Sequence, residues 1–124
     1  MNIEDLRDYC MSIKEATEST PFLDHSILVF KILDKMFAYT TLEPKDGVFK
    51  VDLKCNPERS TELRERYAGV QHGTHTTGLL WNTVFLDSDV PDELIRELVD
   101  HSVEEVVKAM PKKKREEYLG GKPF

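Results

Sequence analysis

The stretch from Trp81 to Met110 restricts this chain more than any other: a strand-like run, a turn, and then a long amphipathic period opened by Pro91. Val90-Pro91-Asp92-Glu93 has the form of a helix start. Proline at the first helical position loses no needed N–H, and two carboxylates sit where the helix dipole favours negative charge. Leu94, Ile95, Leu98, Val99, Ser102, Val103, Val106 and Met110 recur at three- and four-residue steps, which gathers them on one face. Asp92, Glu93, Arg96, Glu97, Asp100, Glu104, Glu105 and Lys108 fall on the other. Burying one Leu, Ile or Val contributes about 1.5–3 kcal/mol, so a stripe this long is large against a domain's net stability of about 5–15 kcal/mol. The segment reads as a core helix fed by a strand from Leu80 to Leu86, and the earlier chain must supply the sheet it covers.

The earlier chain has the patterns for that. Asn2 can cap a first helix, with Asp5 as a capping-box-like partner and Ile3, Leu6, Tyr9 or Cys10, and Ile13 as its stripe. Lys14 to Thr20 breaks the period, and Pro21-Phe22 begins something extended. Ile27–Leu33, Met36–Leu42 and Val48–Lys54 then read as strands. Asp34-Lys35 is the expected hairpin turn, although it lacks glycine, and Glu43-Pro44-Lys45-Asp46-Gly47 is a turn by composition. In the third strand Phe49, Val51 and Leu53 point inward and Lys50, Asp52 and Lys54 outward, which predicts an antiparallel meander with one wet face. Asn56-Pro57-Glu58 starts a short surface helix that carries Leu63 and Tyr67, with Gly69 in the C′ position. Val70–His72 reads as a brief strand and Gly73–Gly78 as a loop. Pro111 closes the long helix, and Lys112–Tyr118 allows one or two further turns before a mobile tail over 119–124. The expectation is one α+β domain over 1–118, an antiparallel β-sheet covered by N-terminal and C-terminal helices.

Length and charge narrow the function. A chain of 124 residues can bury a core without staples. No apolar run approaches the ~18 residues that span a bilayer, and Met1-Asn2-Ile3-Glu4-Asp5 has no leader character, so a cytoplasmic protein with no membrane contact is expected. Cys10 and Cys55 are too few for a disulfide framework and read as buried free thiols. The net charge of −6 opposes non-specific attraction to a polyanion. Its distribution is uneven, however. Residues 85–105 carry a net −7, residues 111–124 a net +3, and residues 21–72 are balanced, so the acidity belongs to the long helix.

No catalytic constellation is readable. His72 and His75 lie in a Thr- and Gly-rich stretch without a third ligand, which favours loop histidines over a metal site. His101, four residues from both Glu97 and Glu105, reads as a surface pairing on the wet helix face, and His25 has no visible partner. Cys55 lacks a histidine, and Ser102 falls on a buried helix side, a poor place for a nucleophile. The glycines do not form a phosphate loop. The expectation is a non-enzyme that needs no cofactor or metal. Two positive features remain. Lys31, Lys50, Lys54 and Arg59 surround the sheet's outer face, with Lys35 at a hairpin tip, and Lys112-Lys113-Lys114-Arg115 forms a basic run.

Across Leu6 to Arg115 the chain resembles the MmcQ/YjbR family of small bacterial proteins. The resemblance rests on Leu6-Arg7-Asp8-Tyr9-Cys10, Pro21-Phe22, Phe30-Lys31, Lys35-Met36-Phe37-Ala38, Leu53-Lys54-Cys55-Asn56-Pro57-Glu58, Trp81-Asn82-Thr83-Val84, Leu86-Asp87, Pro91-Asp92-Glu93-Leu94 and Asp100-His101-Ser102. It implies a frataxin-like (CyaY-like) two-layer sandwich and DNA binding; the expected partner is double-stranded DNA, and the expected state is a monomer or weak dimer. Phosphates would be contacted through Lys31, Lys35, Lys50, Lys54 and Arg59. One segment departs from the family's pattern. His75-Thr76-Thr77-Gly78-Leu79-Leu80-Trp81 lacks the basic residue and second histidine of similar sequences and places two leucines beside a glycine instead. The alternative function is a protein-interaction adaptor that uses the acidic face of the long helix or the Leu79-Leu80 loop. A third, borrowed from the frataxin-like shape, is iron binding by Glu4, Asp5 and Asp8.

Overall fold

The computed structural model describes residues 1–44, 47–73 and 80–120. Four helices and six strands follow in the order α1 (Ile3–Ser12), β1 (Ala16–Ser19), β2 (Ile27–Ile32), β3 (Lys35–Thr41), β4 (Lys50–Lys54), α2 (Pro57–Arg66), β5 (Val70–His72), β6 (Trp81–Phe85), α3 (Asp92–Lys108) and α4 (Lys112–Leu119). The strands form one antiparallel sheet in the order β1-β2-β3-β4-β6-β5. The last strand in sequence, β6, thus lies between β4 and β5.

Partners across an antiparallel pair share a face, and so do residues two apart on a strand. The registers place Leu28, Phe30, Ile32, Ala38, Val51, Leu53, Val70 and Val84 on one face. These residues form a single core with Leu6 and Cys10 of α1, Leu63 of α2, and Ile95, Leu98, Val99, Val103, Val106 and Val107 of α3. The molecule is a two-layer sandwich with its helices on that face. Helix α3 is where its period puts it.

Side-chain hydrogen bonds tie the layers together. The Ser102 hydroxyl, fully buried, donates to the Phe37 carbonyl at 2.6 Å and accepts from the Lys54 amide at 2.9 Å. In α2, the N-cap Asn56 accepts from the Arg59 amide, and Asn82 of β6 donates to Ser60 and accepts from Arg64. Helix α1 is capped by Asn2, which accepts from the Asp5 amide. Its Arg7 grips Glu18 of β1 with two bonds of 2.5 and 2.7 Å. Tyr118 of α4 donates to the Lys14 carbonyl, and the Lys14 ammonium donates to the Tyr118 carbonyl.

Several expectations need correction. The break after α1 is a tight turn through Glu15 (φ 64°), and Ala16–Ser19 then becomes an edge strand that composition did not suggest. The β2–β3 turn is Leu33-Asp34, one residue earlier than expected. Both residues have positive φ, as a two-residue type I′ loop requires, and Ile32 pairs with Lys35 across it. Lys35 therefore starts β3 at the base of the hairpin and is not in its tip. Pro91 is the residue before α3, so Asp92 is its first helical position.

Gly69 is not a left-handed helix cap, since α2 ends at Arg66 and Tyr67 caps it. It is needed for a close approach: a Cβ there would lie 2.1 Å from Ser88 Oγ, and its amide donates to Asp89. His101 is buried, 8% exposed, because the start of α2 lies over it, and its Nε2 accepts the Asn56 amide. Leu119 closes α4 and packs on the core, with Gly120 as the helix cap. Residues 121–124 of the expected tail, 45–46 of the expected turn, and 74–79, with His75 and Leu79, lie outside the described residues.

Candidate nucleic-acid interface

The second sheet face lies outside the main core. Its central row runs Ser19–Val29–Tyr39–Asp52–Thr83–Gln71, flanked by Lys50 paired with Phe85, Lys54 paired with Trp81, and Lys31 paired with Met36. The expected wet face is only partly wet: Val29, Asp52 and Thr83 are buried. Asp52 escapes the cost of an unpaired buried charge because Tyr39 donates to one of its oxygens at 2.6 Å and Thr83 to the other at 2.9 Å. Burial, followed by the Asp52 carboxylate, pushes the Tyr39 hydroxyl pKa far up, so Tyr39 stays a donor. This network stiffens the centre of the face on which the lysines sit.

Lys50 and Lys54 project from one strand on either side of Asp52. Four residues at about 3.3 Å per residue separate them by roughly 13 Å. The Lys50 ammonium lies 6.0 Å from the Phe85 ring centroid. Lys31 stands two strands away, across from Met36. Lys35 and Lys54 meet at the end of the sheet, where they line a cavity of about 240 Å³ with Met36, Trp81, Ala109 and Met110. Among the described residues, none of these four lysines is in an ion pair. Arg59 does not join them. It belongs to the helical layer, where its guanidinium holds Glu97 of α3 at 2.7 Å.

Trp81, Tyr39 and Met36 were missed as members of this site. The Tyr39 and Trp81 rings lie 5.9 Å apart. Simple alternation groups Met36 with Ala38 on the core face. The pairings Phe30–Ala38 and Lys31–Met36 leave Phe37 as an extra residue, and this bulge turns Met36 to the lysine face. The aromatic residues of the Met36–Leu42 strand were the available signal. The pairing of β4 with β6 that brings Trp81 to Lys54 has no local signature.

Other candidates come out plainly. Cys10 and Cys55 are buried free thiols, and burial pushes the Cys10 pKa up to about 12. Glu4, Asp5 and Asp8 are exposed on α1, and among the described residues no group of three or more His, Cys, Asp or Glu is placed to hold a metal ion. No helix of the described residues is long and apolar enough to cross a membrane.

The YjbR family model matches residues 11–104. The chain belongs to the YjbR family. It is 33% identical over 115 residues to the Escherichia coli K12 protein named "Uncharacterized protein YjbR", covering 93% of this chain and 95% of that one. It is 28% identical over 85 residues to the E. coli O157:H7 protein named "Uncharacterized protein YbdF", covering 68% of each. Among solved structures, a Deinococcus radiodurans protein superposes with a TM-score of 0.84 at 36% identity, over 96% of this chain and 88% of that one. A Pseudomonas syringae protein shares the fold at a TM-score of 0.74 and 24% identity, over 86% of this chain and 99% of that one. The α+β sandwich is thus the fold of this YjbR protein's relatives as well.

Proposed function

We propose that this YjbR protein is a non-catalytic, cytoplasmic DNA-binding module that holds phosphates with its helix-free sheet face, through Lys31, Lys50 and Lys54, joined by Lys35 at the sheet's end. The observation that carries the reading is the separation of charge between the two layers. Lys31, Lys50 and Lys54 share one face, whose Asp52 is buried and bonded to Tyr39 and Thr83, while Lys35, paired with Ile32, stands on the helix side at the sheet's end beside Lys54. The exposed acids Glu93, Glu97, Asp100 and Glu104 lie along α3 in the other layer. Ammonium groups carried on one sheet face suit phosphate contacts, which position a protein without reading sequence. Arg59 is left out because Glu97 already occupies it.

The alternative, an adaptor that docks a partner on the acidic face of α3, has the exposure of those carboxylates in its favour. Two of them are already engaged: Asp100 accepts from Tyr9 and Glu97 holds Arg59. The test is fluorescence anisotropy of a labelled duplex at ~20 mM and ~150 mM salt, where phosphate binding must weaken. Changing Lys50 and Lys54 together to Ala should weaken binding and reduce the slope of log K against log salt by about 2. An unchanged slope would remove the sheet face as the contact surface. Flat anisotropy at low salt would leave the adaptor in the lead.

A further inference from the structure

We infer that the cavity between Lys35, Lys54 and Trp81 takes one unstacked base of a single-stranded DNA segment, while the sheet-face lysines hold the adjoining phosphates. This rests on the phosphate-binding reading above and narrows it from DNA in general to an opened strand. The cavity sits where the ends of β3, β4 and β6 meet the last turn of α3. Trp81, Met36 and Met110 give it aromatic and polarizable apolar surface, and Lys35 and Lys54 give it positive charge. Its described lining holds no carboxylate, so the complementary ligand is a flat apolar ring attached to an anion. At about 240 Å³ it falls below the roughly 300–1,000 Å³ of pockets for drug-sized ligands, which suits one ring and not a whole dinucleotide.

A base inside a duplex offers only its edge in a groove, so a ring can enter only after leaving the stack. Lysines interleaved with aromatic rings are the arrangement that single-strand binders use: the charges track the backbone and the rings accept the bases. Here Lys50 stands beside Phe85, Lys54 beside Trp81, and Tyr39 beside Trp81. The methionines add soft contacts to a ring edge. A free mononucleotide presents the same base-plus-phosphate chemistry, but it would leave Lys31 and Lys50 without a role.

Trp81 is the only tryptophan, so its fluorescence reports on this cavity alone. The full chain is titrated at low salt with oligodeoxythymidine, with an abasic strand of the same length, with a duplex, and with thymidine monophosphate. The thymidine strand should bind more tightly than the duplex and quench Trp81, and the abasic strand should bind more weakly without that quench. Ala109→Phe fills the cavity from an exposed position whose right-handed backbone accepts any side chain. It should lower affinity for the thymidine strand on the order of ten-fold or more and leave duplex affinity unchanged. Equal affinity for the two single strands with equal quenching overturns the base pocket, and duplex binding would then stand alone. Monophosphate binding as tightly as the strand overturns the commitment to a strand. No binding by any of them removes this inference together with the phosphate reading. If Ala109→Phe does not fold, the quenching comparison on the unaltered chain still decides.

Discussion

His101 shows how a buried side chain sets acid sensitivity. Its Nε2 accepts the Asn56 amide at 3.2 Å, which requires the neutral ring with its proton on Nδ1. Burial lowers its pKa first and the Arg59 charge lowers it further, while Glu105 and Glu104 act in opposition. A histidine whose folded pKa lies below the unfolded value of ~6.5 binds fewer protons folded than unfolded between the two. Its contribution is complete above about pH 6.5 and is lost as the pH falls through the folded pKa. Melting followed at pH 7.5 and 5.5 should show a lower midpoint at the acid pH from this group. His101→Gln keeps an oxygen for the Asn56 amide and should flatten that drop, and an acid limb identical to the parent's would show that other groups cause it. The pattern of α3 made position 101 look wet because the covering group comes from Asn56, 45 residues away. Asp52 was misjudged in the same way, since its alternation is correct but its partners Tyr39 and Thr83 sit on neighbouring strands.

At the scale of elements, legibility followed the reach of the interactions. Helices α1 and α2 announced themselves through caps within three residues, Asn2 to Asp5 and Asn56 to Arg59. Helix α3 announced itself through a period sustained along its length. Strand β1 is four residues of Ala-Thr-Glu-Ser held by β2 and by Arg7, so nothing in its own composition marks it. The β2–β3 loop has positive φ at Leu33 and Asp34 without glycine, so its place depends on strand register more than on turn chemistry.

Ser102 links α3 to the sheet, and its place on the buried helix side was readable from spacing alone. Its hydroxyl is the described partner of the Phe37 carbonyl and the Lys54 amide at the level where the bulged β3 and β4 approach α3. Ser102→Ala should cost about 1–3 kcal/mol, the penalty for buried backbone groups left unsatisfied. Urea unfolding with an unchanged m-value would register it as a lower midpoint. A loss within about 0.5 kcal/mol, the range of an ordinary surface change, would mean that water replaces the hydroxyl and that the link is dispensable.

At the scale of the whole molecule, the net charge of −6 describes neither face. The outer side of α3 carries exposed Glu93 and Glu104, and a helix with its side chains is about 10–12 Å across. Those carboxylates therefore act on a strand at the lysine face from beyond the ~8 Å Debye length of physiological salt, but within the screening distance of dilute buffer, which approaches ~30 Å at 10 mM. Changing Glu93 and Glu104 together to Gln should raise DNA affinity and association rate at ~10 mM salt by a few-fold, with the loss of two repelling charges. At ~150 mM the same variant should match the parent, because the field no longer reaches the other layer. Stopped-flow association at the two salt concentrations separates the cases. An equal gain at both would mean that DNA lies against α3 itself, and the lysine face would lose its claim. No gain at low salt would mean that the acidic layer does not oppose the bound strand, which leaves those carboxylates to a protein partner.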